Sequence, residues 1–265
     1  MKTIILKFGG ASLASPDNFL TIADIIIERS RGYDRVGVVV SAMGSMTDNL
    51  ISLAERVHPN PPRREKDMLI TVGERISSSL LSMALSAKGH NAVSFTGSQA
   101  GIITTKAHNN ARIVDVNPYR LIPHLEKQKI VIIAGFQGVS LRKEITTLGR
   151  GGSDTTAVAL GAALDADGVE FFKDVDGIYD KDPNIHDDAV LHAKLSYREA
   201  LEIAKNSEHE VLHSRCITLA EKNCLPLRVF SFRTALSSGV EGTLIEDSGG
   251  CRGEAPQYEV LAYSG

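Results

Sequence analysis

Short apolar runs, each ending on glycine or a small polar residue and each followed by a stretch of helical period, recur along this 265-residue chain. The first, residues 3–8 (TIILKF), runs into Gly9-Gly10 and reads as a buried strand that delivers Lys7 and a glycine turn to one edge of a sheet. Ser15-Pro16 then reads as an N-cap with proline at the first helical position. Phe19, Ile22, Ala23, Ile26 and Ile27 fall on one face of the helix that follows. Residues 37–40 form a second buried strand, left through Ser41-Ala42-Met43-Gly44-Ser45-Met46-Thr47. Strand, glycine-bearing loop and helix thus occur twice in quick succession, which predicts a mainly parallel sheet covered by helices on both faces, an α/β fold.

Asn60-Pro61-Pro62 breaks the pattern, and residues 67–88 then carry one helical period through Met68, Val72, Ile76, Leu80 and Leu85. Within it Glu74 stands among apolar neighbours, either on a solvated face or as a buried polar group. Residues 92–95 read as a strand and 96–105 as a Gly, Ser and Thr loop suited to line a polar ligand. A helix over 118–127 and a strand over 130–134, ended by Gly135-Phe136-Gln137-Gly138, keep the rhythm. The strand 168–172 delivers Lys173-Asp174-Val175-Asp176-Gly177 to its carboxyl end, where doubly wound sheets form their ligand crevice. Helices over 197–205 and 211–222 and strands over 227–230 and 243–245 complete one domain, residues 1–246. Residues 247–265, rich in glycine, read as a tail.

Composition narrows the class. Hydrophobic residues at 43% and charged residues at 23% are those of a soluble globular protein. A net charge of −3, without any basic and aromatic cluster, speaks against nucleic acid as a partner. The opening apolar run is too short for a signal peptide or a membrane span, so a cytoplasmic protein without a membrane partner is expected. Cys216, Cys224 and Cys251 lack paired metal-type spacing and read as free thiols, and no metal-ligand motif appears.

The densest chemistry lies in TTLGRGGSDTTAVAL, residues 146–160. Gly149, Gly151 and Gly152 allow consecutive N–H groups to curl around anionic oxygens. Ser153 or Asp154 is expected to cap the helix that follows, whose N-terminus favours the same anion. Arg150 adds a planar fork suited to a carboxylate or a phosphate. No GxxxxGK[ST] and no GxGxxG after the first strand are present, which excludes a P-loop and a Rossmann dinucleotide site. Glycine-rich strand ends carrying one lysine, one arginine and several carboxylates are the parts of a phosphoryl-transfer site.

KFGGAS (7–12), VVVSAMGSMTDNL (38–50), MLITVGERIS (68–77), SFTGSQAGIITT (94–105), AGFQGV (134–139) and TTLGRGGSDTTAVAL, in that order and spacing, closely resemble the catalytic domain of bacterial aspartate kinases, of the amino-acid kinase superfamily. The resemblance covers about residues 1–246 and implies a three-layer αβα sandwich. It further implies a substrate lobe (about 1–145), a nucleotide lobe (about 146–246), and transfer of the ATP γ-phosphoryl group to the side chain of L-aspartate with Mg²⁺. By this likeness Lys7 stabilises the migrating phosphoryl group and Asp154 holds Lys7. Arg150 clamps the substrate α-carboxylate, Glu74 pairs with its ammonium, and Ser41, Thr47 and Ser153 hydrogen-bond around it. Gly9, Gly10, Gly151 and Gly152 admit the phosphates, and Lys173, Asp174, Tyr179 and Asp182 belong to the nucleotide side. A small-molecule amino acid partner and a homo-oligomer, a dimer, are implied.

The nucleotide half departs from the family pattern. Lys173 stands where Thr or Ser usually precedes the aspartate, Asn184 where Asp-Pro is usually followed by Arg, and Glu210 where a lysine would face ATP. Loss of two cations is expected to weaken triphosphate binding by a few kcal/mol. Lys173 is expected to compensate, either by meeting Glu210 across the cleft or by taking a phosphate contact. Family members continue into ACT domains that bind lysine or threonine, near where this chain ends, so a truncated chain, a stand-alone kinase and a separate regulatory subunit all remain open. So do a kinase for another small carboxylate and a non-catalytic amino-acid-binding homologue.

Overall fold

Every residue of Thr3–Phe8 (β1) is buried, because this strand lies inside a sheet with helices on both faces. The structure, a computed structural model, describes residues 1–181, 183, 185–207, 210–237, 242–247 and 255–260. After β1 come α1 (Pro16–Ser30), β2 (Arg35–Val40), α2 (Met46–Val57), α3 (Arg63–Ile70), α4 (Val72–Ala87), β3 (Ala92–Phe95), β4 (Ile102–Thr104) and β5 (Ile113–Val116). Then follow α5 (Ile122–Leu125), β6 (Ile130–Ala134), β7 (Gln137–Ser140), β8 (Ile145–Thr147), α6 (Gly152–Ala163), β9 (Gly168–Lys173) and β10 (Lys194–Leu195). α7 (Tyr197–Asn206), α8 (Ser214–Lys222), β11 (Leu227–Ser231) and β12 (Thr243–Ile245) end the order.

Eight strands form the main sheet in the order β10-β12-β11-β9-β1-β2-β6-β3. All its pairs are parallel except β11 with β12. This is the expected α/β architecture. Alternate side chains of β1 and β2 enter two different cores. Ile5 and Val39 join Ala157, Leu160 and Ile217 of α6 and α8. Ile4, Leu6, Phe8, Val38 and Val40 join Ile22 and Ile26 of α1 and Leu81 and Leu85 of α4. The same period of two turns Lys7 toward α6. Residues 152–161 of α6 are all buried, as suits a helix that is small or apolar all round and packs between the sheet and α8.

Several expected elements change under tertiary constraint. The helix read over 67–88 is two helices, divided at Thr71, whose carbonyl accepts from the buried Gln137 side chain at 2.9 Å. Residues Arg63–Ala87 are together long and apolar enough to cross a membrane, yet half of that stretch is buried within this fold. The helix read over 118–127 contracts to α5, since Pro123 lacks the N–H that a ladder begun at 118 would need there and instead sits in the first turn of α5. The helix read from 211 begins at Ser214, where the His213 ring accepts from the Arg215 N–H at 3.2 Å.

A second sheet of order β5-β4-β7-β8 was not foreseen; it takes up part of the loop 96–105 and the segment after β6. Cys216 is a buried free thiol, but Cys224 is disulfide-bonded, which corrects the reading of three free thiols; Cys251 lies outside the described residues. The expected tail, residues 247–265, is described at 247 and 255–260. Residues 255–260 fold back, with Glu259 N–H donating to the Ile113 carbonyl at 3.2 Å and Gln257 N–H to Asn223 at 2.9 Å.

Candidate active site

A cleft of about 570 Å³ opens where β1 and β2 end and α6 begins. Its walls bring together Lys7 and Gly10 from the first strand end and Ser41 and Thr47 from the second. Glu74 of α4 and the turn Arg150, Gly151, Gly152, Ser153 and Asp154 complete the set. Gly9 lies beside it, with the Lys7 amine 3.6 Å from where a Cβ on Gly9 would stand.

Lys7 and Asp154 meet at the floor, Nζ to Oδ1 at 2.6 Å, with side chains 5% and 8% exposed. Lys173 holds the other carboxylate oxygen at 3.0 Å. Burial draws the Lys7 ammonium below its ordinary pKa, and Asp154 works against that. For Asp154 burial acts upward, but the charges of Lys173 and Lys7 prevail and take the carboxyl down to about 2. The carboxylate therefore stays ionised at neutral pH and anchors two ammonium groups side by side.

The turn before α6 is shaped by Gly151, at φ +66°. It occupies the N-cap position and no side chain caps the helix, so Ser153 and Asp154 lie inside the first turn, contrary to the capping expectation. The backbone reverses so tightly that no side chain capable of capping fits at that position. A Cβ on Gly151 would stand 2.3 Å from the His213 side chain. Gly151→Ala should thus cost about 2 kcal/mol from the left-handed backbone and the clash, read as a lower urea midpoint at unchanged slope. The Gly152 N–H is taken by the Gly149 carbonyl at 3.0 Å, and the helix dipole leaves this end of α6 attractive to an anion.

Glu74 is only 3% exposed, which decides between the two readings of it. Its Oε1 accepts from the Ala42 N–H at 3.2 Å, while Oε2 is buried with no hydrogen-bond partner. The close approach needs Gly73, because a Cβ there would stand 2.7 Å from that of Ala42. Burial pushes the carboxyl up to about 7, against two backbone hydrogen bonds and the charge of Lys7. An unpartnered buried carboxylate oxygen in a cleft is suited to a cation brought by a ligand.

The residues expected on the nucleotide side are less gathered. Lys173 reaches the cleft only through Asp154, whereas Asp174 is exposed and Tyr179 is half-buried, bridging to Leu191. Asp182 and Asn184 lie outside the described residues. The expected meeting of Lys173 and Glu210 is corrected: Lys173 turns inward to the buried carboxylate of Asp154, and Glu210 stands 3.9 Å from His213. A buried anion in low dielectric outcompetes a solvated one for the same ammonium.

Asp67, Asn109 and Thr147 belong to the cleft wall although the sequence pattern does not single them out. Asp67 is fully buried and accepts from Thr147 Oγ1 at 2.5 Å and Asn109 Nδ2 at 2.6 Å, and its Oδ2 meets His108 Nδ1 at 2.6 Å. Asn109 and Thr147 line the cleft. The one signal was an acid inside an apolar helical period, the same signal that marks Glu74.

The family model of the amino acid kinase family matches residues 2–231. The chain is 48% identical over 249 residues to an aspartokinase of Mycolicibacterium smegmatis, covering 94% of this chain and 58% of that protein. It is similar to the crystal structure of the Synechocystis aspartate kinase, with TM-score 0.81 and 40% identity, covering 94% of this chain and 40% of that one. It is also similar to E. coli aspartokinase III in complex with aspartate and ADP, with TM-score 0.83 and 26% identity, covering 94% and 66%. The chain thus spans less than two thirds of the length of each of these relatives.

Proposed function

Because this chain belongs to the amino acid kinase family, we propose that it transfers the γ-phosphoryl group of ATP to the side-chain carboxylate of L-aspartate. The products are 4-phospho-L-aspartate and ADP. The observation that carries this reading is the unpartnered Oε2 of Glu74 in the same cleft as the Lys7–Asp154 pair. An α-amino acid satisfies that oxygen with its ammonium, offers its α-carboxylate to Arg150, and presents its second carboxylate toward Lys7. Ser41, Thr47 and Ser153 supply hydrogen bonds along the wall. Support comes from the E. coli relative, whose structure holds aspartate and ADP.

In this reading a carboxylate oxygen of aspartate attacks the γ-phosphorus, the bond to the bridging oxygen breaks, and ADP leaves with that electron pair. Lys7 and the N-terminus of α6 neutralise charge that spreads over the migrating group, and Asp154 fixes the direction of the ammonium. Residues up to about 145, together with Arg150 and Ser153, hold the amino acid, and the remainder of residues 146 to 246 holds the nucleotide, through Lys173, Asp174, Tyr179 and Asp182. Gly9, Gly10, Gly151 and Gly152 let backbone approach the phosphates. Among the described residues no group of three or more His, Cys, Asp or Glu could hold a metal ion. Mg²⁺ would be carried on the triphosphate oxygens, as it commonly is.

Trapping acyl phosphate with hydroxylamine across a panel of amino acids and small carboxylic acids, with ATP and Mg²⁺, tests the assignment. Hydroxamate is expected with aspartate; hydroxamate only with another acid, or with none, would overturn it.

A further inference from the structure

Two loops of the cleft touch one another behind its wall. Asn109 lies in the first, residues 105–111, and Thr147, Gly149 and Arg150 in the second, and all four line the cavity. The Ala111 N–H donates to the Thr147 carbonyl at 2.9 Å, and a Cβ on Gly149 would stand 3.1 Å from the Asn109 carbonyl. Their spacing sets where Arg150 begins.

Arg215, from the first turn of α8, reaches both loops. Its Nη1 donates to the Leu148 carbonyl, two residues before Arg150, and its Nη2 donates to the Ala111 carbonyl at 3.2 Å. The rest of the guanidinium faces Glu259, with Nε to Oε1 at 2.8 Å and Nη2 to Oε2 at 2.9 Å. Glu259 in turn accepts from the Ile113 N–H at 2.8 Å and from Arg112 at 3.1 Å. Both partners are nearly buried, their side chains 12% and 8% exposed. A planar fork with fixed donor directions measures the distance between two carbonyls in a way that a flexible ammonium cannot. The carboxylate offsets the buried charge and fixes the plane of the fork.

We infer that Arg215 is a positioning residue for the amino-acid site, setting the spacing of the 105–111 and 147–152 loops, and that Glu259 of the returning 255–260 segment locks it in place. The inference rests on the proposed reaction for its kinetic consequence, but its structural part does not. It means that a segment beyond the 2–231 family match controls the affinity of the cleft for its acceptor.

Amide hydrogen exchange and steady-state kinetics on Glu259→Gln, which keeps size and removes charge, test this. Exchange in 105–111 and 147–152 is expected to quicken about tenfold, the change that one lost charged hydrogen bond brings, with β1 and β9 unmoved. The KM for aspartate should rise by a similar factor and by more than the KM for ATP, because the held Leu148 carbonyl lies two residues before Arg150 and the Ala111 carbonyl lies in the loop of Asn109. Arg215→Lys should give the same pattern, and the double variant should add nothing further. Unchanged exchange in both loops, exchange rising equally in β1 and β9, or loosened loops with an unaltered aspartate KM would each overturn the inference. Wild-type protein that forms no acyl phosphate defeats the proposed activity instead, and the exchange data still decide the role of Arg215.

Discussion

Lys7→Met should lower kcat by two to three orders of magnitude, the loss that follows removal of one preorganised charge donor, while the protein stays folded. The fold survives because Asp154 keeps Lys173 at 3.0 Å, so its buried carboxylate is not stranded. Methionine also fills the space of the lysine stem beside Gly9 without adding volume to a strand buried along its length. Lys173 does not substitute for Lys7, since it holds the opposite carboxylate oxygen. Asp154→Asn should lose a comparable factor, and the double variant should be no worse than either alone, as expected of groups that act as a unit. Steady-state rates beside a thermal unfolding curve decide the matter. Activity within tenfold of wild type at unchanged stability would remove Lys7 from the chemistry.

The second large effect belongs to Glu74, whose carboxyl sits near 7 because burial disfavours its charge. Only the carboxylate pairs with a substrate ammonium, so binding requires the deprotonated form. For a pKa of about 7, the aspartate KM should rise about tenfold between pH 8 and pH 6, with the KM for ATP flat. Glu74→Gln should abolish that dependence and raise the KM by roughly a hundredfold, since an amide offers an ammonium no charge.

Stability should move the other way. The folded pKa lies above the unfolded value, so the folded protein binds the proton more tightly, and the carboxyl costs stability progressively as pH rises from the unfolded value to about 7. Glu74→Gln should therefore be more stable than wild type at pH 8, by about 3 kcal/mol at most, and little different near pH 4. A wild-type KM that stays constant across this range would place the ammonium elsewhere in the cleft. Loss of binding together with a gain in stability is the signature of a buried charge kept for its ligand.

Several parts of this site were legible from local pattern alone. Period two along β1 turns Lys7 toward α6, and the glycines before α6 announce a tight turn at its start. The apolar surround of Glu74 announced burial but not the empty side of its carboxylate, which depends on Ala42 arriving from β2. Asp67 carries the same local signal, but its role is not legible there, because its partners Asn109 and Thr147 are 42 and 80 residues away.

The sequence by itself determined seven strands of the main sheet, their glycine ends, the mainly parallel pairing and several of the residues that face the cleft, because periods of 2 and 3.6 are properties of neighbouring positions; the second sheet and β10 were decided by pairing between distant segments. Tertiary structure alone decided the rest. It divided residues 63–87 at Thr71 through a side chain from β7, turned Lys173 to Asp154 in preference to Glu210, and seated Glu259 against Arg215 and Ile113. Each of these choices is a competition among polar groups for a partner in low dielectric, and the winner is set by which segments the completed fold brings within hydrogen-bond reach.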